Sequence, residues 1–575
     1  MRFAVGIAAL LLASCAGSAV QQDAMSAGAT DAGNGPRYDL LIRGGTIVDG
    51  SGGAPYVGDV AISGEDIAAV GPDLAGTAAA TIDAGGMTVA PGFINMLSWA
   101  PETLIEDGAG ESDIRQGVTT EIFGEGWSFG PVNETSQTYM TDGQGDIRYD
   151  VTWDSLADFL NMLEAKGVAP NIASFVGATT ARMYVIGSDD VDPSPEQLRE
   201  MQNLVRTAMN EGALGVGSSL IYAPATFAET PELVELAKAS ADCGGMYISH
   251  IRNESDHLMD AVEEVITIAR ESGGPAEIYH LKQAGKSNWG KLDDVIERVE
   301  QARAEGLRVT ANMYTYTAGA TGLDAAMPTW VQAGGLDEWI ERLKDPATRA
   351  KVIAEMREKP EGYDNLYWHA GPDKTLLLQF KSEALKPLTG KTVAEVAKLR
   401  GVSPEDAIVD LVIEDGSRVG TAYFLMSEEN VARQTTLPWM SFGSDEGAPA
   451  PRGVFLKSNV HPRAYGTFAR LLGKYVRDEK MLPIEEAVRK LAAMPAEHLG
   501  LTDRGLLKAG KRADVAIFDA ATIADRATFE KPHQFAVGMR DVIVNGTPVL
   551  RGGEMTGARP GDALEGPGTG RCPAQ

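Results

Sequence analysis

Apolar and polar positions follow two textures along the chain, and the two are segregated. From Tyr38 onward, YDLLIRGGTIVDG and GDVAISGEDIAAVG are short apolar or alternating runs broken by Gly and Asp, which predicts strands joined by tight turns. GKRADVAIFDA and MRDVIVNGTPVLRGGE repeat that texture near the other end. Two strand-rich segments flank everything else, so one small β domain is expected to be built from both termini. Between them, apolar runs alternate with amphipathic stretches. Eight runs read as strands: MTVAPGFINML, GVTTEIFGEG, NIASFVGATT, ALGVGSSLIY, GGMYISHIR, AEIYHLK, LRVTANMYTY and LPWMSFGSD. SPEQLREMQNLVRTAMNEG, TPELVELAKASADCG and LDDVIERVEQARAEG fall between them with acidic starts and Gly stops, and read as helices.

Eight strand and helix alternations predict an α/β fold, a (β/α)8 TIM-like barrel in preference to an open doubly wound sheet. About 120 residues separate Tyr316 from Trp439, too many for one helical return. LDEWIERLKDPATRAKVIAEMREK marks that stretch as a helical insertion after the seventh barrel strand. The expected boundaries are 38–88 and 506–560 for the two parts of a small β-sandwich domain, 89–505 for the barrel with its insertion at about 320–437, and 561–575 for a tail.

The first residues carry a different pattern. MRFAVGIAALLLASC has one basic residue and an apolar run from Phe3 to Leu12, the size of a signal core and too short to span a bilayer. Leu12-Ala13-Ser14-Cys15 resembles a bacterial lipobox, which predicts removal of residues 1–14 and lipid modification of Cys15; an ordinary secretory signal is the alternative. Residues 15–37 are small and polar without periodicity, a flexible tether. The expected location is periplasmic, anchored to the bacterial membrane.

Composition narrows the partners. A chain of 575 residues with 44% hydrophobic content can bury a large core, which excludes bulk disorder. A formal charge of -29, from 51 basic and 80 acidic residues, repels polyanions and excludes nucleic acid as a partner. Beyond the lipid-modified Cys15, the mature body holds only Cys243 and Cys572, too few for a disulfide scaffold, and their pairing stays open.

In a barrel, reactive groups sit where strands end. Four of the eight runs end in possible metal ligands: Glu125 in FGEG, His250 in ISHIR, His280 in IYHLK and Asp445 in GSDEG. Only seven histidines exist, and two of them close adjacent strands. Taken singly, each is as readily a satisfied core histidine or a loop carboxylate. Together, imidazole and carboxylate suit zinc or another divalent ion with one coordination position left for water.

The succession resembles the amidohydrolase superfamily, and within it the N-acyl-D-amino-acid deacylases, or D-aminoacylases. The resemblance rests on DLLIRGGTIVDGSG, APGFI, QGVTT, GSSLIYAP, SHIRNE, IYHLKQAG, GSDEG, HPRAYGTFARLLG, HLGLTDRGLLKAGKRADVAIFD and VIVNGTPV. HPRAYGTF and the SHIRNE plus HLK pair are specific, whereas GGTIVDG and RADVAIFD mark the superfamily only. It implies metal-dependent hydrolysis of the amide on the nitrogen of a D-amino acid or a D-containing dipeptide. It also implies zinc between His250 and His280, and Asp445 as general base. Glu125 stands where the family has cysteine, so the metal preference is expected to broaden while binding survives. Where the family carries HxH after PGFI, this chain has Leu97-Ser98-Trp99. The usual first metal position cannot form, so one ion per chain is expected, with Leu97 and Trp99 packing the mouth or lining the acyl pocket.

Tyr314 or Tyr316 in NMYTYT is expected to donate to the carbonyl oxygen as it becomes anionic, a core role being the alternative for either. The substrate carboxylate needs a cation. Arg252 and Lys282, each two residues beyond a metal histidine, are favoured, with Arg463 and Tyr222 behind them. His461 stays open between a supporting and a structural role, and His257, His369, His498 and His533 are expected to be structural. Two other readings remain: a cyclic-amide hydrolase of hydantoinase type, and a non-catalytic envelope binding protein derived from an amidohydrolase. For the N-terminus, Cys15→Ser is expected to release soluble or unprocessed protein. Cell fractionation with mass measurement of the mature N-terminus checks it, and wild-type material that is wholly soluble and unmodified contradicts it.

Overall fold

The computed structural model describes residues 35–572. The expected signal segment 1–14, the lipid site at Cys15 and nearly all of the tether lie outside the described residues. Strands from both ends of the chain share one nine-stranded sheet. Arg37–Ile47, Tyr56–Ser63, Asp66–Gly71, Thr77–Asp83 and Thr88–Pro91 meet Val515–Phe518, Met539–Val544, Thr547–Arg551 and Glu554–Met555. The joint is Thr88–Pro91, antiparallel to Val515–Phe518 with Val89 opposite Ile517, and parallel to Arg37–Ile47. Inward positions such as Ile42, Val60, Ile62, Val89, Val515 and Ile543 give this sheet a core of its own.

The run MTVAPGFINML reads as one strand, but the structure divides it. Thr88–Pro91 belongs to the terminal sheet and Phe93–Asn95 opens a parallel one. Gly92 sits at the switch, where an added Cβ would lie 2.2 Å from Thr119 Oγ1, so only glycine lets the chain cross there. Phe93–Asn95, Val118–Phe123 and Asn171–Ser174 form one parallel sheet. Val176–Gly177, Gly215–Ser219, Met246–His250, Ala276–Ile278, Val309–Met313 and Met440–Phe442 form a second. Backbone hydrogen bonds join the two at both edges: Met96 N–H donates to Phe442 O at 3.2 Å, and Leu214 N–H donates to Ser174 O at 3.0 Å.

Helices return the chain between these strands. Pro195–Asn210 begins with Ser194 accepting from the Gln197 N–H and with proline in the first turn. Leu258–Ser272 buries Ala261, Val262, Val265, Ile266 and Ala269, a stripe with helical spacing, against the strands. Among the described residues no helix is long and apolar enough to cross a membrane.

The stretch between Met313 and Met440 is not purely helical. Leu336–Lys344, Pro346–Met356, Val393–Arg400 and Pro404–Asp415 are helices, but Gly420–Phe424 lies antiparallel between Ala318–Gly322 and Thr375–Gln379. The expected helical insertion is therefore corrected to a mixed one, whose strands pair across long sequence separations that no local pattern signals. Trp339, Leu377, Ile408, Val412 and Tyr423 belong to its separate core.

Beyond the last strand the chain forms a strap. Leu564 N–H donates to Ile172 O and Gly566 N–H to Gly212 O, so the strap crosses the starting ends of two parallel strands. Cys572 is disulfide-bonded to Cys243, with the Cα atoms 5.1 Å apart, which resolves the pairing that the sequence leaves open. Cys572→Ser is expected to lower stability by about 2–4 kcal/mol under oxidising conditions. Thermal melts with and without reductant check this, and reductant should erase the difference between variant and wild type.

Candidate active site

Reactive side chains collect where the parallel strands end. Glu125 follows Val118–Phe123, His250 closes Met246–His250, and His280 follows Ala276–Ile278. Tyr314 follows Val309–Met313, and Asp445 follows Met440–Phe442. His280 and Asp445 hold φ values of 33° and 53°, a region that costs a non-glycine residue ~1–3 kcal/mol. The surrounding contacts maintain that strain.

Glu125 Oε1 lies 2.9 Å from His250 Nδ1 and 2.9 Å from His280 Nε2. The three side chains are buried, and their candidate ligand atoms lie within 4.8 Å of one another. His250 Nε2 is buried without a hydrogen-bond partner. Two imidazoles and a carboxylate are a donor set for zinc or a similar divalent ion with an open position, so the residues present fit such an ion. Behind the imidazoles, Glu254 Oε1 accepts from Lys282 Nζ at 2.5 Å and lies 3.2 Å from His280 Nδ1. Lys282 Nζ is also 2.8 Å from that nitrogen. Such partners fix the orientation of ligating histidines.

Electrostatics keep the carboxylates charged. Burial pushes the Glu125 carboxyl upward, but His280 and hydrogen bonds with both imidazoles outweigh it and hold it well below the usual range. Burial opposes charge on Glu254 as well, and Lys282 with both imidazoles prevails. For His280, burial and Lys282 disfavour the proton, yet Asp445 and Glu125 push its pKa up to about 9. A metal ion must therefore displace a proton from His280 at neutral pH.

Asp445 Oδ2 meets Arg463 Nη1 at 2.6 Å, and Oδ1 accepts from Trp99 Nε1 at 3.2 Å. Burial raises its pKa above the ordinary value, with Arg463 opposing and Glu125 adding to the rise. Arg463 stacks 4.5 Å above the Tyr314 ring, and the buried Tyr314 hydroxyl has no hydrogen-bond partner. His461 supports this arrangement. Its Nδ1 accepts from the Arg463 N–H, its Nε2 lies 3.0 Å from Ala318 O, and burial keeps it neutral.

The structure brings together Glu125, His250, His280, Asp445, Tyr314, Lys282 and Arg463, with Tyr222 edge-on to His250 at 5.2 Å between centroids. Four expectations are corrected. Asp445 stands outside the three-residue ligand group, its carboxylate taken by Arg463 and Trp99. Arg252 turns away: it grips Glu264 and the carbonyls of Thr226 and Ala228, because strand alternation stops at His250. The Tyr316 hydroxyl donates to Asp525 at 3.0 Å, leaving it a packing residue. Trp99 does more than line the mouth, since its N–H also donates to Glu125 Oε2 at 2.9 Å, while Leu97 is buried in the core. His257, His498 and His533 pair with Asp260, Glu277 and Ser458 O, outside the group. Sequence reasoning missed Glu254, although its place four residues after His250 in SHIRNE was a usable signal.

Residues 80–550 match the profile of the Amidohydrolase family. The chain is 33% identical over 532 residues to the D-aminoacylase of Alcaligenes xylosoxydans xylosoxydans, covering 92% of this chain and 97% of that one. A similar solved structure is the N-acyl-D-glutamate deacylase of Bordetella bronchiseptica, complexed with zinc and a phosphonate mimic of the tetrahedral intermediate. It has a TM-score of 0.77 at 28% identity, covering 92% of this chain and all of that one. A D-aminoacylase with a binuclear metal centre, described by one-metal activation and second-metal attenuation, has a TM-score of 0.76 at 31% identity, covering 92% of this chain and 100% of that one.

Glu125→Ala and His280→Ala are expected to lose metal and activity together, which metal analysis of purified protein checks. Because the raised pKa of His280 means a proton competes with metal below about pH 9, affinity should strengthen as pH rises toward that value. Calorimetry in buffers of different ionisation enthalpy should register proton release on binding at pH 7.

Proposed function

Since the chain belongs to the N-acyl-D-amino-acid deacylase (D-aminoacylase) family of amidohydrolases, we propose that it removes the acyl group from N-acyl-D-amino acids or related D-amino-acid-containing dipeptides. The observation that carries this reading is the convergence of Glu125, His250 and His280 beside Asp445, at the ends of parallel strands that we read as a (β/α)8 barrel. Those three residues would hold one ion per chain, zinc by the character of its donors. When bound, it supplies Lewis-acid polarisation of the amide carbonyl and acidifies water.

The remaining steps belong to the chain's own side chains. Asp445, buried and raised in pKa, accepts the proton of the attacking water and passes it to the leaving amine. Arg463 keeps that carboxylate in place through Oδ2. Tyr314, with its hydroxyl unpaired in a buried position, donates to the carbonyl oxygen as negative charge develops there. Lys282 and Arg463 supply the positive charge for the substrate carboxylate, and Arg463 Nε is buried without a partner. Tyr222 forms the wall beside His250.

The test is a screen of zinc-loaded protein against N-acyl-D-amino acids, their L enantiomers, D-containing dipeptides and hydantoins. Turnover of the D-amides supports the reading. Turnover of hydantoins alone favours the cyclic-amide alternative, and no turnover with metal retained favours a binding protein. Asp445→Asn is expected to keep its metal while kcat falls by roughly 10² to 10⁴. An active Asp445→Asn enzyme would overturn the assignment of the base.

A further inference from the structure

Trp99 combines two features that do not belong together on an ordinary surface residue. Its side chain is substantially exposed, at 42%, yet its one polar atom points inward. The indole N–H is shared between Glu125 Oε2 at 2.9 Å and Asp445 Oδ1 at 3.2 Å. Both carboxylates are buried, and the Glu125 charge adds to the cost of charge on Asp445. Two anions facing one another in such a place require a cation or a shared donor between them. Here the shared donor is the indole.

The backbone holds the indole in this position independently of the bonds it makes. Trp99 N–H donates to Glu446 O at 2.9 Å, Ser98 bridges to Glu446, and Asp445 N–H donates to Leu97 O at 2.8 Å. The segments carrying Trp99 and Asp445 are thus locked in register. The oxygens are divided accordingly. Glu125 turns Oε1 to the two imidazoles and Oε2 to the indole, while Asp445 turns Oδ2 to Arg463 and Oδ1 to the indole. An indole N–H donates only and offers no lone pair to a metal. Leu97, the other residue on this turn that could have faced the site, is apolar and buried.

We propose that Trp99 is a positioning residue whose indole N–H fills the space between Glu125 and Asp445 where a binuclear centre would seat its second ion, making this a one-metal enzyme. A second ion entering there would have to break both hydrogen bonds and move the ring. The chain should therefore escape the second-metal attenuation described for the similar D-aminoacylase. This inference rests on the deacylase reading for its consequence in catalysis, but not for its consequence in metal binding.

Equilibrium dialysis against increasing zinc, on wild type, Trp99→Phe and Trp99→His, separates the two. Wild type is expected to saturate at one zinc per chain and to keep its rate in excess zinc. Trp99→Phe keeps a ring but loses the donor. It should admit a second, weaker ion, and with one zinc bound its kcat should fall roughly 10-fold at nearly constant KM. Trp99→His, which adds a ligand, should hold the second ion more tightly and become sensitive to excess zinc. Two zinc ions in wild type, or a Trp99→Phe protein that still saturates at one, overturns the proposal. Wild type that turns over no acyl amide would instead overturn the deacylase reading, and the zinc counts would still decide the role of Trp99.

Discussion

Everything in the centre answers to one desolvated negative charge. Glu125 carries a carboxylate into a place from which water is largely excluded, and its stability there depends on how completely neighbouring groups meet it. Two imidazoles share one oxygen and an indole takes the other. The parallel pairing of Ser249 with Ile278 brings the two histidines side by side, with ring centroids 4.4 Å apart. Glu254 and Lys282 then hold the far side of the imidazoles. Removing any member leaves another buried group without its partner, so the set is expected to act as a unit.

The cations of the site are committed before any substrate arrives. Lys282 is paired with Glu254 and Arg463 with Asp445, all four nearly buried. In a chain of formal charge -29, a free cation at the mouth would have many competing carboxylates. Internal pairing keeps each in one geometry. That order is achieved with two left-handed backbone positions, at His280 and Asp445, which the network must hold against their own strain.

How much of this was legible in the sequence depends on the range of the forces involved. The strand-end histidines were readable because strand periodicity is local and histidine is rare in this chain. Arg252 misled because alternation predicts a face only while the strand continues, and the strand stops at His250. Tyr314 and Tyr316 are equivalent in sequence, and only Asp525, more than two hundred residues away, separates their roles. For Trp99 the sequence predicts only packing of the mouth or lining of the acyl pocket, since nothing local shows which way its single N–H points. The three-stranded sheet of the insertion and the bond between Cys243 and Cys572 were invisible for the same reason: both join segments far apart along the chain.

The switch at Gly92 has a consequence for biosynthesis. Thr88–Pro91 is the central joint of the terminal sheet, and its antiparallel partner, Val515–Phe518, lies more than four hundred residues downstream. The second residue after the joint, Phe93, already begins the first parallel strand, so the terminal sheet and the parallel sheets share a covalent seam. A ribosome must deliver more than four hundred residues beyond this joint before the sheet begun at Arg37 can be completed. Closure of that sheet is then a late event with long-range contacts, and its joint strand stays unpaired on that side until Val515–Phe518 emerges.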